Sequence, residues 1–225
     1  MTDTARQIRS ALEQLADADR ARPMAAYMRD RFPFFGIPTP QRRAALRPLL
    51  TSHPRQHALL LATAQALWGE AERECQYAAA DLLIRHQRTL EPEDLPGLEA
   101  LVVAKPWWDT VDALATRVIG PLVLRHRELV ANMDRWIEDP DIWRVRVALL
   151  HQLQWKEATD AERLFAYCRR QAGHPDFFIR KGIGWALRQY ARTDAAAVRA
   201  FILAEAARLS PLSLREAGKH LGACP

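Results

Sequence analysis

The chain carries apolar residues at the three- and four-residue spacing of amphipathic helices, and no run shows the strict alternation that marks a half-buried strand. Stretches rich in Ala, Leu, Arg and Glu are separated by Pro, Asp and short polar turns. This pattern predicts an all-α protein. The expected helices span about residues 4–17, 20–31, 40–50, 55–68, 72–87, 92–103, 106–118, 126–134, 140–153, 159–171, 176–192, 195–207 and 212–220.

A recurring proline followed by aromatic residues indicates how the helices are arranged. Pro106, Pro140 and Pro175 lie 34 and 35 residues apart, and proline suits the first turn of a helix because its missing N–H would have no partner there. A period of this length with two helices per unit is typical of α-solenoids of the HEAT or armadillo type. We therefore expect stacked antiparallel helix pairs that line a concave, basic groove. No linker-like segment divides the chain, so a single domain over residues 1–225 is expected.

Composition and charge narrow the class of protein. The 225 residues are 49% hydrophobic and 26% charged with a formal net charge of +5, which fits a moderately basic folded protein rather than a disordered tail. No apolar run approaches the roughly 20 residues of a membrane-spanning helix, and the N-terminus lacks the apolar region of a signal peptide. These features predict a cytoplasmic protein that does not use a membrane. Cys75, Cys168 and Cys224 are expected to be reduced thiols.

Helical wheels separate ordinary core positions from unusual ones. In predicted helix 106–118, Trp107 and Val111 belong to an apolar face, whereas Trp108 and Asp112 lie together on its flank, four residues apart. An aromatic ring beside a carboxylate can surround a cation. The alternative is that Trp108 packs between repeats while Asp112 pairs with a basic side chain.

A second aromatic residue lies on the polar side of predicted helix 176–192. Trp185 is opposite the apolar face and shares its side with Lys181, Arg188 and Arg192. A large ring among cations fits a surface that meets aromatic or anionic matter. The alternative is that Trp185 packs against a neighbouring repeat.

One charged residue falls where an apolar residue is expected. In predicted helix 140–153, Arg146 lies within the apolar arc, whereas His151 takes the polar side. A guanidinium in that place must find an anion or reach solvent. Asp112, Arg146 and Lys181 stand at the same distance from their repeat prolines, so we expect them on one wall of the solenoid. A salt bridge between repeats is the alternative.

Motifs of several catalytic classes are missing from the sequence. It contains no Walker loop, no nucleophile elbow and no zinc-protease motif, and Gly182–Gly184 lacks the rest of a dinucleotide-binding fingerprint. His53 and His57 have a spacing that suits a metal, but Pro54 lies between them and no third ligand is nearby. We therefore expect no metal site.

Three stretches resemble the hallmark sequences of a known family. Phe35–Arg43 (FGIPTPQRR), Lys105–Asp112 (KPWWDTVD) and Ile183–Ala191 (IGWALRQYA) are similar to those of the AlkD-type DNA alkylation repair glycosylases. Pro211–Ala217 resembles the start of that family's C-terminal helix. The likeness runs from about residue 20 to about residue 220, and its most specific part is the Trp-Trp-Asp-x-Val-Asp stretch.

The resemblance implies a HEAT-like solenoid that holds duplex DNA and hydrolyses the N-glycosidic bond of cationic alkylated purines such as 3-methyladenine and 7-methylguanine. It also implies that no cofactor is used and that the lesion need not be flipped out of the duplex. Pro38 and Gln41 depart from the residues expected in the family, which puts only local contacts in question. The residues matched to the family's catalytic cleft are Asp112, Trp108, Trp185 and Arg146, and those matched to DNA backbone contacts are Tyr27 and Arg188.

The chemistry of excising such a lesion agrees with the unusual positions that the helical wheels identified. An alkylated purine is already cationic and leaves without a general acid, so the enzyme must stabilise an oxocarbenium-like sugar and guide a water to it. Asp112 suits both tasks, and Arg146 is a candidate anchor for a phosphate. Lys181, Arg188 and the segment Thr39–Arg43 are expected to contact the DNA backbone regardless of sequence. We expect the protein to act as a monomer.

Two other functions remain open on the sequence. The first is a noncatalytic HEAT-repeat scaffold that binds DNA or protein through the same groove. It needs no acid beside the tryptophans, so the presence of Asp112 in register favours the enzyme. The second is a repeat protein that binds RNA, and the net charge of +5 does not choose between nucleic acids.

Overall fold

The computed structural model describes residues 1–219 and 221, and within them the protein is entirely helical. The all-α prediction is therefore confirmed. The helices are α1 (Asp3–Glu13), α2 (Ala18–Tyr27), α3 (Thr39–Ser52), α4 (His57–Gly69), α5 (Arg73–Arg85), α6 (Leu95–Val103), α7 (Trp108–Leu114), α8 (Gly120–Arg125), α9 (Val130–Trp136), α10 (Ile142–Leu150), α11 (Ala161–Arg170), α12 (Phe177–Tyr190), α13 (Ala195–Glu205) and α14 (Pro211–Gly218).

The chain divides into two compact units, Met1–Ala104 (unit 1) and Lys105–Pro225 (unit 2). In unit 1, α3 packs against α1 and α5, while α4 packs against α1, α5 and α6. Apolar side chains that are fully withdrawn from water, such as Leu60 and Leu82, form the core of this unit. Their burial is the main source of its stability.

Unit 2 repeats one packing arrangement. The helices α7, α10, α12 and α14 pack on one another in this order, and α9, α11 and α13 each pack against a member of that series. A second helix layer therefore accompanies the first. Helices that alternate between two layers are the arrangement of a solenoid, so the predicted stacking of helix pairs is confirmed within this unit.

The repeat prolines lie outside the helices that they mark, which corrects the prediction that they occupy the first turn. The first helical residues are Trp108, Ile142 and Phe177, each two residues after a repeat proline. Side chains of Asp141 and Asp176 cap α10 and α12 instead, because their carboxylates accept backbone N–H groups of the first turn.

The aromatic residues of the repeats pack together at the starts of these three helices. Ring centroids of Trp107 and Trp143 lie 5.9 Å apart, and those of Phe178 lie 5.0 Å from Trp107 and 5.1 Å from Trp143. Aromatic pairs at such distances stabilise beyond the area that they bury. The cluster therefore holds α7, α10 and α12 in register.

The structure also contains a helix that the sequence pattern did not reveal. The predicted helix 106–118 continues through a π-helical turn, Ala115–Ile119, into α8. Gly120 begins α8, and a Cβ there would lie 2.1 Å from the carbonyl oxygen of His151, so the close approach of the two backbones requires glycine. At the other end of the chain, predicted helix 212–220 stops at Gly218, and residue 220 lies outside the described residues.

Two of the three cysteines lie among the described residues. Cys75 and Cys168 are buried free thiols, and burial raises the pKa of Cys75 to about 12. Cys224 lies outside the described residues. Among the described helices, none is both long enough and apolar enough to cross a bilayer.

The helical wheel placed His151 on the polar side of its helix, but this residue is only 1% exposed. That prediction is therefore wrong. Nδ1 of His151 lies 2.7 Å from the carbonyl oxygen of Ala148 and therefore carries the proton, while Nε2 has no hydrogen-bond partner among the described residues. Its ring packs against Trp155 at 5.1 Å. The side chain is therefore a neutral core residue.

Burial lowers the pKa of His151 to about 4, which predicts a loss of stability in acid. In the unfolded chain this histidine binds a proton below about pH 6.5, whereas in the folded chain it binds one only below about pH 4. The free energy of unfolding should fall by about 1.4 kcal/mol per pH unit across this window. Chemical denaturation at several pH values would measure it, with His151→Phe as the control. An equal slope in that variant would contradict the assignment.

Candidate active site

Helix α7 presents an indole and a carboxylate on one flank. Trp107 is buried in the aromatic cluster, whereas Trp108 is half-buried and begins the helix. Asp112 lies one turn further along the same side, and its side chain is 12% exposed. The flank of α7 predicted from the sequence is therefore accessible, at least in part, to a ligand.

Arg146 of α10 forms a bidentate ion pair with the carboxylate of Asp112. Its Nε lies 2.6 Å from Oδ1 and its Nη2 lies 2.8 Å from Oδ2. Nη1 donates to the backbone carbonyl of Phe178 on α12. The guanidinium, whose side chain is 3% exposed, thus joins three helices of unit 2. The salt bridge between repeats that the sequence left open is present.

A glycine of α12 leaves the space that this guanidinium occupies. A Cβ at Gly182 would lie 3.2 Å from Nη1 of Arg146, which is tighter than an ordinary contact. Glycine in the middle of a helix costs about 1 kcal/mol relative to alanine. That cost is offset here because glycine leaves room for the Arg146 guanidinium to reach Asp112 and the carbonyl of Phe178. Gly182 therefore helps to hold the Asp112 carboxylate in place.

Opposing effects act on the ionisation of Asp112. Burial raises the pKa of its carboxyl above the ordinary value, while the Arg146 guanidinium and, further away, Lys181 favour the carboxylate form. Neighbouring Asp109 acts in the same direction as burial. Because both oxygens accept hydrogen bonds from Arg146, the geometry is that of an ionised carboxylate. Lone pairs of both oxygens remain for a water or an electron-poor sugar.

Helix α12 carries the second indole that the sequence singled out. Lys181 is exposed and Trp185 is half-buried one turn further along. Arg188 is half-buried, and its Nη1 lies 2.8 Å from Oε2 of Glu216 on α14. The predicted backbone contact at Arg188 therefore has an internal partner, whereas Lys181 has its ammonium 5.5 Å from the ring of Phe177.

A further glycine explains how α14 reaches this helix. A Cβ at Gly184 would lie 2.5 Å from Cβ of Glu216 and 2.8 Å from the carbonyl oxygen of Ser213. Only a residue without a side chain permits this approach of α14 to α12. As a result, α12 is covered on the side of Gly184, and Trp185 belongs to the part of the helix that stays partly open.

The predicted DNA contacts of unit 1 lie at its surface. Tyr27, the last residue of α2, is 72% exposed. Thr39 begins α3 and is exposed. Arg43, also exposed, has its Nη2 3.1 Å from Oδ1 of Asp81. Tyr27 and Thr39 are placed as a surface contact requires, while Arg43 already has an ion-pair partner.

Glu74 of α5 shapes the segment that leads into α3, and sequence reasoning missed it. Its carboxylate accepts the backbone N–H groups of Phe35, Gly36 and Ile37 at 3.0, 2.9 and 3.0 Å. Gly36 has φ +89°, and a Cβ there would lie 2.1 Å from the carbonyl oxygen of Asp17. The Phe-Gly-Ile-Pro stretch is therefore held in a single conformation ahead of Thr39.

Sequence reasoning found the charged members of the unit 2 site but not their support. It named Asp112 and Arg146 as register partners, and the structure joins them. It treated Gly182–Gly184 only as an incomplete nucleotide motif, although two glycines within a helix are themselves a signal of close packing. No sequence pattern indicated that the backbone carbonyl of Phe178 would accept a hydrogen bond from Arg146.

The two histidines with metal-like spacing have separate protein partners. Nδ1 of His53 lies 2.8 Å from the carbonyl oxygen of Pro54, and Nδ1 of His57 lies 3.1 Å from Oδ1 of Asp94. Among the described residues, no three His, Cys, Asp or Glu side chains are grouped to hold a metal ion.

Comparisons with known proteins match nearly the whole chain. The family model described as DNA alkylation repair enzyme matches residues 8–221. The chain is also similar to a solved structure, a predicted DNA alkylation repair enzyme from Enterococcus faecalis, with 34% identity and a TM-score of 0.85 over 93% of this chain and 98% of that one. No curated protein matches significantly. The chain therefore belongs to the family of DNA alkylation repair enzymes.

Proposed function

We propose that the protein is a DNA glycosylase that hydrolyses the N-glycosidic bond of cationic alkylated purines, such as 3-methyladenine and 7-methylguanine, in duplex DNA without flipping the base. The observation that carries this proposal is the ionised Asp112 carboxylate, held by Arg146 beside the half-buried Trp108. A role in DNA repair comes with the family. The bond cleaved and the lesions accepted are the proposal.

Asp112 would stabilise the sugar as the bond breaks. A purine alkylated on its ring leaves as a neutral base, so positive charge passes to the deoxyribose and no general acid is needed. A fixed carboxylate near the anomeric carbon lowers the energy of that oxocarbenium-like state. The same oxygens can accept a hydrogen bond from the water that attacks, since Arg146 uses only part of their capacity.

Trp108 and Trp185 would select for charge. The face of an indole attracts a cation, by about 0.5–2 kcal/mol depending on desolvation. Both indoles are half-buried and so retain exposed surface. A neutral purine gains less from such a surface than a cationic one, which favours damaged over undamaged bases.

Arg146 supports catalysis as a positioning residue in this proposal. Its three hydrogen-bonding nitrogens Nε, Nη1 and Nη2 donate within the protein, and its side chain is 3% exposed. A buried guanidinium engaged in this way holds Asp112 in place and is poorly placed to bind a phosphate. The candidate backbone contacts remain Tyr27, Thr39, Arg43, Lys181 and Arg188. We further propose a monomer that needs no metal and acts in the cytoplasm, where its DNA lies.

The noncatalytic scaffold stays as the second candidate because of the same ion pair. A bidentate Asp112–Arg146 contact between repeats would also serve a protein that only binds DNA. The two candidates differ in whether the protein cleaves a bond, since a protein that only binds DNA does not need to distinguish charged bases from neutral ones.

Release of free base distinguishes the candidates. The purified protein, with a metal chelator present, is incubated with duplex DNA that carries 7-methylguanine, and we expect free 7-methylguanine in the supernatant. A duplex with neutral hypoxanthine at the same place is the control and should stay intact. If a folded protein binds the duplex but releases no base above the spontaneous rate, the scaffold is the correct function.

A further inference from the structure

Unit 1 contains an open, basic cleft that the proposed function has not used. Its volume is about 440 Å³, within the range of ligand-binding sites. It lies where α3 and α5 end. Its polar lining includes Thr51, Arg55, Arg85, His86, Arg88 and Thr89.

Three arginines of the cleft have no hydrogen-bond or ion-pair partner in the part of the chain that the structure describes. Within residues 1–219 and 221, the side chains of Arg55, Arg85 and Arg88 make no hydrogen bond or ion pair. Several other arginines of unit 1 do, as Arg20 with Asp17 and Arg22 with Asp19. Three uncompensated guanidiniums around one concavity create a positive potential that attracts anions.

The lining of the cleft contains no acid. No Asp or Glu occurs from residue 31 to residue 69, nor from residue 82 to residue 90. Attraction to the negative end of a helix accounts for Arg85, which is in the last turn of α5. It does not account for Arg55 or Arg88, which lie in the segment before α4 and in the short turn after α5. These two cations are therefore free to interact with an anionic ligand.

We propose that this cleft binds the phosphodiester backbone of DNA, and the proposal rests on the proposed function in that it takes duplex DNA as the ligand. Arginine matches phosphate because its planar fork donates to two oxygens at once. The lining contains no Phe, Tyr or Trp on which a base could stack. The cleft therefore recognises charge and not base sequence, which is the property of a contact to the backbone.

The test compares two triple variants that lower the formal charge equally. Arg55→Gln, Arg85→Gln and Arg88→Gln remove the unpaired cations. Arg6→Gln, Arg170→Gln and Arg208→Gln remove exposed arginines that are ion-paired with Asp3, Glu138 and Glu205. Binding of each folded protein to a labelled, undamaged duplex is measured by fluorescence anisotropy over a range of salt concentrations. Surface changes of this kind scarcely alter stability, and a cooperative melt verifies it.

For the cleft variant we expect an affinity about tenfold lower or more at low salt, and a salt dependence smaller by about two to three released counterions. The control variant should stay close to wild type. Equal losses in both variants would show a general effect of net charge and would overturn the proposal. Wild-type affinity in the cleft variant would also overturn it. If titration with inorganic phosphate then showed a site that the cleft variant lacks, the ligand would be a small anion instead of DNA.

These results are independent of catalysis. A wild-type protein that binds the duplex through the cleft but releases no 7-methylguanine would refute the glycosylase and leave the cleft intact. Normal release of base together with unchanged binding by the cleft variant would refute the cleft and leave the glycosylase intact.

Discussion

Asp112→Asn should release 7-methylguanine from duplex DNA at least about a hundredfold more slowly than wild type. Asparagine has the shape of aspartate and can still accept a hydrogen bond from Arg146, but it has no charge with which to stabilise an oxocarbenium-like sugar. Single-turnover release of base with protein in excess measures the chemical step apart from binding. Affinity for the undamaged duplex should not fall, because Asp112 repels phosphate rather than binding it.

The matched control for this variant is Asp109→Asn. Asp109 lies in the first turn of the same helix, and its replacement removes the same charge from α7. We expect this variant to release base at nearly the wild-type rate. A folded Asp112→Asn protein with near-normal release would remove Asp112 from the mechanism. Equal losses in both variants would indicate that only the net charge of α7 matters.

Arg146→Met should destabilise the protein by about 3–5 kcal/mol, because it leaves the Asp112 carboxylate buried without its counter-ion. Denaturant unfolding gives the change in the free energy of unfolding. Arg144→Met is the control on the same helix, since the Arg144–Asp139 pair is more exposed and should contribute about 1 kcal/mol or less. A loss confined to that lower range in both variants would contradict a buried, coupled pair.

The proposed positioning role of Arg146 has a second readout, the pH dependence of base release. In the proposed mechanism excision requires the ionised form of Asp112, so activity should be present above the pKa of this carboxyl and lost as the pH falls through it. Burial already raises that pKa and Arg146 opposes the rise, while Asp109 and Lys181 act in opposite directions. Without Arg146 the acid limb of the rate should therefore move to higher pH. Arg146→Lys, which keeps the charge, should restore part of the shift. An unmoved limb would mean that Arg146 has only a structural role.

Helix content and the inner face of each helix could be predicted from the sequence because they depend on local properties. The spacing of Val111, Leu114, Ile179 and Ile183 placed them inside, and all are buried. The common register of Asp112, Arg146 and Lys181 also followed from spacing, since equivalent positions of stacked repeats fall on one side. These features are repeated along the chain, so a single sequence displays them several times.

The errors have a common physical origin in contacts between residues far apart in sequence. His151 lies on the polar side of an isolated wheel, yet Trp155 and other residues cover it. Gly120, directly after the π-helical turn Ala115–Ile119, lies so close to the backbone of His151 that a side chain would not fit. Local periodicity contains no information on such an approach.

The chain sequence alone thus established an all-helical repeat protein and marked the residues with unusual chemistry. Whether those residues meet was a matter of packing. Asp112 could have been a solvated acid, and it became a buried carboxylate because Arg146 bonds to it and to Phe178, in a space that Gly182 leaves open. The pKa of a carboxyl and the orientation of a guanidinium depend on desolvation and on partners supplied by other helices. Those partners are brought together only when the helices pack.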